Sequence, residues 1–337
     1  MDGMTAPMET ETVKARASEI LVAIPTLNEA LHIETCIASL MVGDDRLSDV
    51  AFIVVDGGSN DGTQSIVETL SSRYPNLRLA DNPARLQSAA VNTVAFNHAG
   101  EDTRYLIRCD AHSIYPPGFI TGVADSLLRT GAQSVVVPMR AVGDSCFQKG
   151  NAWIVDTPLG SGGSAHRGLG ASKYVDHGHH AGFDLETFVA LEGYDESFSH
   201  NEDAEYDHRV GLSGGKVFMD AGLGIAYKPR PTFRALWQQY FKYGKGRART
   251  IRKHGIRPKL RQLIPVANCI GLILSLLIAP VLPLALAYPA LYFGALATAS
   301  GAVAIVKRSA CGMSAGPASF AMHNAWALGF IKQIWSR

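Results

Sequence analysis

The sequence predicts an α/β fold, a mostly parallel sheet with flanking helices, followed by a helical tail suited to a membrane. Three observations predict it. Residues 20–25 (ILVAIP) and 51–55 (AFIVV) are apolar runs of strand length that stop at a polar loop, and each is followed by apolar residues at helical spacing. Strand, loop and helix repeated in this way give parallel strands, because parallel pairing needs a crossover connection. The third observation is charge. Residues 1–220 carry all 30 acidic side chains against 15 basic ones, whereas the last 117 residues carry 16 basic and no acidic side chains.

The chain has 337 residues, enough for one large α/β domain with an appendage. A net charge of +1 conceals the split between an acidic half and a basic, apolar half. The basic stretch runs straight into uncharged sequence, which favours an anionic membrane surface as its partner and disfavours nucleic acid. Cys36, Cys109, Cys146, Cys269 and Cys311 show no CxxC spacing. An odd, dispersed set of this kind predicts reduced thiols in a cytosolic setting, and neither a disulfide framework nor a zinc knuckle. Residues 1–18 lack an apolar core of a secretion signal and are expected to form a disordered lead.

Along the chain, strand 20–25 ends in Thr26-Leu27-Asn28-Glu29, and Ile33, Ile37, Leu40 and Met41 mark a helix. Strand 51–55 ends at Asp56, whose carboxylate therefore stands at a C-terminal strand edge, where open parallel sheets bind ligands. Neither junction carries GxGxxG or GxxxxGK[ST], which excludes a P-loop kinase and weakens a dinucleotide fold. A short strand is expected at 77–80, and a helix at 86–99 with Arg85 at its start, placed to meet a phosphate or carboxylate. Strand 104–109 delivers Asp110-Ala111-His112 to the same edge as Asp56. Alternation puts Asp110 and His112 on one side of an extended backbone, within reach of one cation, with imidazole favouring manganese over magnesium.

A helix follows to about Leu128, then a strand at 134–138. Residues 140–178 read as an irregular, glycine-rich segment and are expected to form a mobile flap. His177, His179 and His180 lack HExxH spacing, so they read as hydrogen-bonding or acceptor-lining groups at a loop, with no zinc. A helix is expected at 185–191. Acids crowd the next helix start, at Glu202 and Asp203, where either dipole alignment or a general base explains them. Two last strands are expected at 217–220 and 224–227.

In this order the motifs resemble the inverting family 2 glycosyltransferases of the GT-A fold, over residues 20–247. The resemblance implies that Pro25, Thr26, Asn28 and Glu29 shape the uracil side of a nucleotide pocket and that Asp56 contacts the nucleoside. It implies a metal-binding Asp-x-Asp at Asp110-Ala111-His112, a base at Asp203 within the Glu-Asp pair, and a Gln-x-x-Arg-Trp equivalent at Gln239, Lys242 and Tyr243. His112 and Lys242-Tyr243 depart from that pattern; the second loses a bidentate fork.

Residues 228–261 hold 12 Lys and Arg among aromatics, as suits a helix in a bilayer interface. Residues 264–306 are 43 in succession without charge, enough for two spans at roughly 20 residues each, with a turn expected at Ala287-Tyr288-Pro289. Basic residues at both ends place both ends in the cytoplasm. Residues 315–335 read as an interfacial helix or a third span. The domain reading is thus a lead at 1–18, a GT-A catalytic domain at 19–228, an interfacial region at 229–262 and a membrane domain at 263–337.

The expected activity is transfer of a hexose, with glucose from UDP-glucose implied by the resemblance, to a lipid-linked (polyprenyl diphosphate) saccharide in exopolysaccharide assembly. Mn2+ or Mg2+ is the expected cofactor. The expected site is the inner membrane, multi-pass, with the catalytic domain cytoplasmic and other polysaccharide-assembly proteins as further partners. A sugar nucleotidyltransferase and an inactive membrane scaffold are the alternatives.

Overall fold

The computed structural model describes residues 13–162 and 171–336. Residues 1–12 of the expected lead and 163–170 of the expected flap lie outside the described residues. Packing begins before residue 19: Ala15 is buried and its N–H donates to Asp125 Oδ1 at 2.8 Å.

The strands are β1 (Ile20–Thr26), β2 (Ala51–Asp56), β3 (Leu77–Asp81), β4 (Tyr105–Arg108), β5 (Ser134–Val137), β6 (Met139–Ala141), β7 (Lys173–Val175), β8 (His179–Asp184), β9 (Val217–Met219) and β10 (Ile225–Tyr227). Eight form one sheet in the order β3-β2-β1-β4-β8-β5-β9-β7; β6 and β10 pair separately. The first four are mutually parallel, and Thr26 stands opposite Asp56 at the C-terminal edge. Ile24, Val54 and Ile107 are fully buried, which is why these strands read as continuous apolar runs.

The helices are α1 (Ile33–Leu40), α2 (Thr63–Arg73), α3 (Gln87–Asn97), α4 (Phe119–Thr130), α5 (Cys146–Val155), α6 (Pro158–Ser161), α7 (Leu185–Ala190), α8 (Glu202–Leu212), α9 (Phe233–His254), α10 (Leu260–Ile278), α11 (Ala287–Val306) and α12 (Ala315–Trp335). The first four follow the sequence expectation closely.

Four expectations are corrected. The His-rich loop is strand β8, inserted antiparallel between β4 and β5. Gly182 allows the insertion, since a Cβ there would lie 2.5 Å from Val123 Cγ1. The expected irregular segment contains β6, α5, α6 and β7. Ser145 and Gln148 close a reciprocal cap that starts α5, a signal hidden by the surrounding glycines. The turn between the apolar helices lies at 279–286: Pro283 opens a 3-10 turn, and Pro289 sits in the first turn of α11, where its missing N–H breaks no bond. Finally, Cys146 and Cys311 form a disulfide, joining α5 to the connection between α11 and α12. Cys36, Cys109 and Cys269 remain free and buried.

α9 runs along α12 at close range. A Cβ on Gly244 would stand 2.0 Å from the Trp326 carbonyl oxygen, and one on Gly329 would stand 2.0 Å from that of Phe241. Backbone therefore meets backbone at this crossing. α12 buries Ala318, Ala321, Met322 and Ala325 against its neighbours. α10 and the Pro283–Val306 segment are long and apolar enough to cross a membrane, and only 11% and 17% of the 18-residue apolar stretch in each is buried inside the protein. Helices this bare are not core helices of the α/β domain.

Candidate active site

Two strand-to-helix loops lock together at the edge of β1 and β2. Asn28 N–H donates to Ser59 Oγ at 2.7 Å, Asn60 N–H to Asn28 Oδ1 at 3.0 Å, and Glu29 N–H to Thr63 Oγ1 at 2.9 Å. Thr26 is buried, and its carbonyl accepts from Gly57 N–H at 2.8 Å; Pro25 pairs with Val55 one step below. Asp56 organises the second loop from beneath. Its Oδ1 accepts from Gly58 N–H, Ser59 N–H and Gln64 Nε2 at 2.9, 2.8 and 2.6 Å, and its Oδ2 from Ser59 Oγ at 2.5 Å. Burial acts to raise this carboxyl, and the donors outweigh it, keeping it below its ordinary value.

Asn28 and Arg85 both hold left-handed backbone, at φ 56° and 57°. Non-glycine residues adopt that conformation seldom, and such positions cluster at functional sites. Arg85 is exposed, with its Cα 3.5 Å from where a Cβ on Gly57 would be.

Past the end of β4, Asp110 is held by groups on three sides. Oδ1 accepts from Gln87 Nε2 at 2.8 Å and from Arg108 Nη2 at 3.3 Å; Oδ2 lies 3.6 Å from His179 Nε2. Burial raises its pKa, yet Arg108, His179 and His112 outweigh that and hold it at about 2. His112 is mostly exposed and its Nδ1 lies 3.1 Å from Glu29 Oε1, which raises its pKa. The structure thus brings together Glu29, Asp110, His112 and His179.

Arg108 connects this edge to the interior. Its Nη1 donates to Tyr194 OH at 3.2 Å; Tyr194 OH lies 2.5 Å from His180 Nδ1; and His180 Nε2 lies 2.8 Å from Asp207 Oδ1. The His180 and Asp207 side chains have no exposed surface. This corrects the expected acceptor-lining role of His180, which stands inside a buried relay; His179 alone of the pair faces Asp110.

α8 begins at Asn201, itself left-handed at φ 71°, and presents Glu202 and Asp203 in its first turn. Burial and the Asp203 charge push the Glu202 carboxyl up. Burial pushes on Asp203 as well, but His180, Arg108 and the Ala204 N–H hold it below its ordinary value. The environments push the two adjacent carboxyls in opposite directions, Glu202 up and Asp203 down. Arg108 faces both Asp110 and Glu202 electrostatically, and His179 faces both Asp110 and Asp203, so the two ends share their surroundings.

On α9, Gln239 Nε2 donates to Tyr243 OH at 2.9 Å and Lys242 is exposed. The cation that this part of the chain brings toward His112 is Arg230, just before α9. Arg108, Gln64, Gln87 and Arg230 were not among the residues expected from sequence. Arg108 had a signal, a lone charge inside an apolar strand, two residues before Asp110.

Residues 21–189 match the family described as Glycosyl transferase family 2. The chain is 42% identical over 315 residues to "Succinoglycan biosynthesis protein ExoA" of Rhizobium meliloti (strain 1021), covering 93% of this chain and 94% of that one. The chain belongs to glycosyl transferase family 2. As a family 2 glycosyltransferase it is an enzyme of group transfer, which sets aside the nucleotidyltransferase and the inactive scaffold. A more distant relative, 22% identical over 69% of this chain and 74% of its own length, is a Methanococcus voltae "Dolichyl N-acetyl-alpha-D-glucosaminyl phosphate 3-beta-D-2,3-diacetamido-2,3-dideoxy-beta-D-glucuronosyltransferase". Among solved structures, "Mannosyltransferase PcManGT from Pyrobaculum calidifontis in complex with GDP-Man and Mn2+" superposes with a TM-score of 0.59 at 17% identity, covering 96% of this chain and 90% of that chain. The fold is that of the GT-A glycosyltransferases.

Proposed function

We propose that this family 2 glycosyltransferase moves a hexose, glucose from UDP-glucose, onto a lipid-linked saccharide in exopolysaccharide synthesis, working at the cytoplasmic face of the inner membrane. The observation that carries the reading is a pair of carboxylates around His179: Asp110, 3.6 Å from its Nε2, and Asp203, within its electrostatic reach. One suits the donor's diphosphate end and the other the acceptor hydroxyl. The name of the succinoglycan relative supports the pathway, and the two bare apolar helices support the membrane.

The donor set at Asp110 fits a divalent cation. The carboxylate is ionised and half-buried, and an imidazole stands two residues on. Among the described residues, no group of three or more His, Cys, Asp or Glu could hold a metal unaided. A site of that kind is completed by oxygens of a bound diphosphate and water. Asp110 would hold the cation with His112 beside it, and the cation, Mn2+ or Mg2+, would offset charge growing on the leaving diphosphate. Pro25, Thr26, Asn28, Glu29, Asp56 and Arg85 frame the nucleotide, with Asp56 acting through the loop it organises. Gln239, Lys242 and Tyr243 are assigned to the donor from α9.

Asp203 removes the proton from the attacking hydroxyl. Burial and the neighbouring Asp203 charge push the Glu202 carboxyl up, so Asp203 is the member of the pair suited to act as the base. A single displacement inverts the anomeric centre. The test is UDP release by the full chain in detergent micelles with an extract of lipid-linked saccharides. UDP-glucose with Mn2+ supports turnover, EDTA stops it and Mn2+ restores it. Turnover with another nucleotide sugar and none with UDP-glucose would overturn the donor assignment.

A further inference from the structure

A cavity of about 550 Å³ lies between α8 and the segment that joins α9 to α10. None of Asp56, Asp110 or His112 lines it, so it is not the sheet-edge cleft. Its volume falls in the range of small-ligand sites. Lys216, Arg247, Arg257 and Lys259 line it, against the acids Asp176 and Asp207. Both acids are already engaged. Asp176 pairs with Lys259, and Asp207 accepts from Gly178 N–H and meets His180. The four cations still outnumber the two acids, with Lys259 already drawn to Asp176 and able to exchange that carboxylate for a more highly charged anion. Arg247 Nε is buried without a hydrogen-bond partner among the described residues, a donor that a ligand in the cavity can meet.

The position of the cavity decides what that is. On one side α8 contributes Ala204, next to Asp203, and the walls His177 and Arg247 stand within electrostatic reach of Asp203. On the other, Lys259 is the N-cap of α10, the first helix able to cross a membrane. A ligand that places polyanionic charge here, with an apolar chain along α10, has the layout of a prenyl diphosphate.

We propose that this cavity binds the diphosphate of the lipid-linked acceptor through Arg247, Arg257 and Lys259, and so sets the distance of the acceptor sugar from Asp203. The inference rests on the reading that the acceptor is lipid-linked. The diphosphate supplies the charge and the membrane supplies the orientation. Arg257 and Lys259 are exposed, so their removal leaves the core intact.

The experiment uses the full chain in detergent micelles, with saturating UDP and Mn2+ filling the donor cleft, and calorimetric titration of farnesyl diphosphate. The expected result is saturable binding, at least ~10-fold weaker in Arg257→Ala/Lys259→Ala and in Arg247→Gln, as loss of charge-assisted hydrogen bonds implies. The double variant must keep the wild-type unfolding temperature; Arg247→Gln keeps the side chain's bulk and serves as the independent check. Equal binding by all three proteins overturns the proposal. So does equal affinity for farnesol, which would mean the apolar chain alone binds, or equal affinity for inorganic pyrophosphate, which would mean a free anion is the ligand. Wild-type UDP release is scored separately: its absence would overturn the donor reading whatever the titration shows.

Discussion

Arg108 makes the two carboxylates of the site interdependent. A fully buried guanidinium is costly to desolvate and is kept only where its partners are also buried. Here they are Asp110 and Tyr194, with Glu202 in electrostatic reach. Asp203 is the residue whose loss tests the chemistry most directly. Asp203→Asn is expected to lower turnover by about 10² to 10⁴ while UDP-glucose affinity stays within a factor of about two, because a base acts only in the transition state. Steady-state kinetics beside equilibrium titration of UDP-glucose checks this. Asp56, Asp110 and Asp203 were legible in the sequence because each follows a sharp change from apolar strand or turn to acid. Arg108, Gln64 and Gln87 were less so. Their meaning comes from partners 2, 8 and 23 positions away, and the two glutamines read as ordinary exposed polar groups until the strands are placed.

Among the elements, β1 to β4 and their helices were readable because strands buried on both faces have a plain apolar signature. β8 was not, since its histidines and Gly182 suit contacts made only after insertion between β4 and β5. α8 and α9 are tied by an ion network: Lys253 Nζ lies 2.8 Å from Asp195 Oδ2 and 2.6 Å from Glu205 Oε1, and His254 Nε2 lies 2.9 Å from the same oxygen. Burial acts to raise Asp195, and Lys253 and Ser197 hold it at about 2 against an ordinary 3.8. A folded value below the unfolded one stabilises above pH 3.8 and is lost as pH falls toward 2. Asp195→Asn is expected to cost about 1 kcal/mol near neutrality, with the difference from wild type shrinking as pH falls from about 4 to about 2 in thermal melts. Gly329→Leu should separate α9 from α12, at about 1 to 3 kcal/mol, because the atom in its path is the Phe241 carbonyl oxygen and not a side chain that can turn aside. The unfolding temperature in micelles measures it.

For the molecule as a whole, the charge split in the sequence becomes a division of labour. The acidic half carries the sheet and its edge, while the basic half carries α9 and the two bare helices. If the basic face of α9 alone held the protein to lipid, high salt would release it, since exposed charges about 10 Å apart are largely screened at 0.1 M. With α10 and α11 inserted, the protein is expected to stay in the membrane pellet through both 1 M salt and alkaline carbonate, about 1 M being far beyond the screening needed. Immunoblotting of the washes decides.

The sulfur bridge from Cys146 to Cys311 closes a covalent ring that encloses α8, α9, α10 and α11. A single proteolytic cut anywhere inside the ring would therefore leave one species on a non-reducing gel and release two fragments once a thiol is added. A nicked enzyme would then run at full size until reduced.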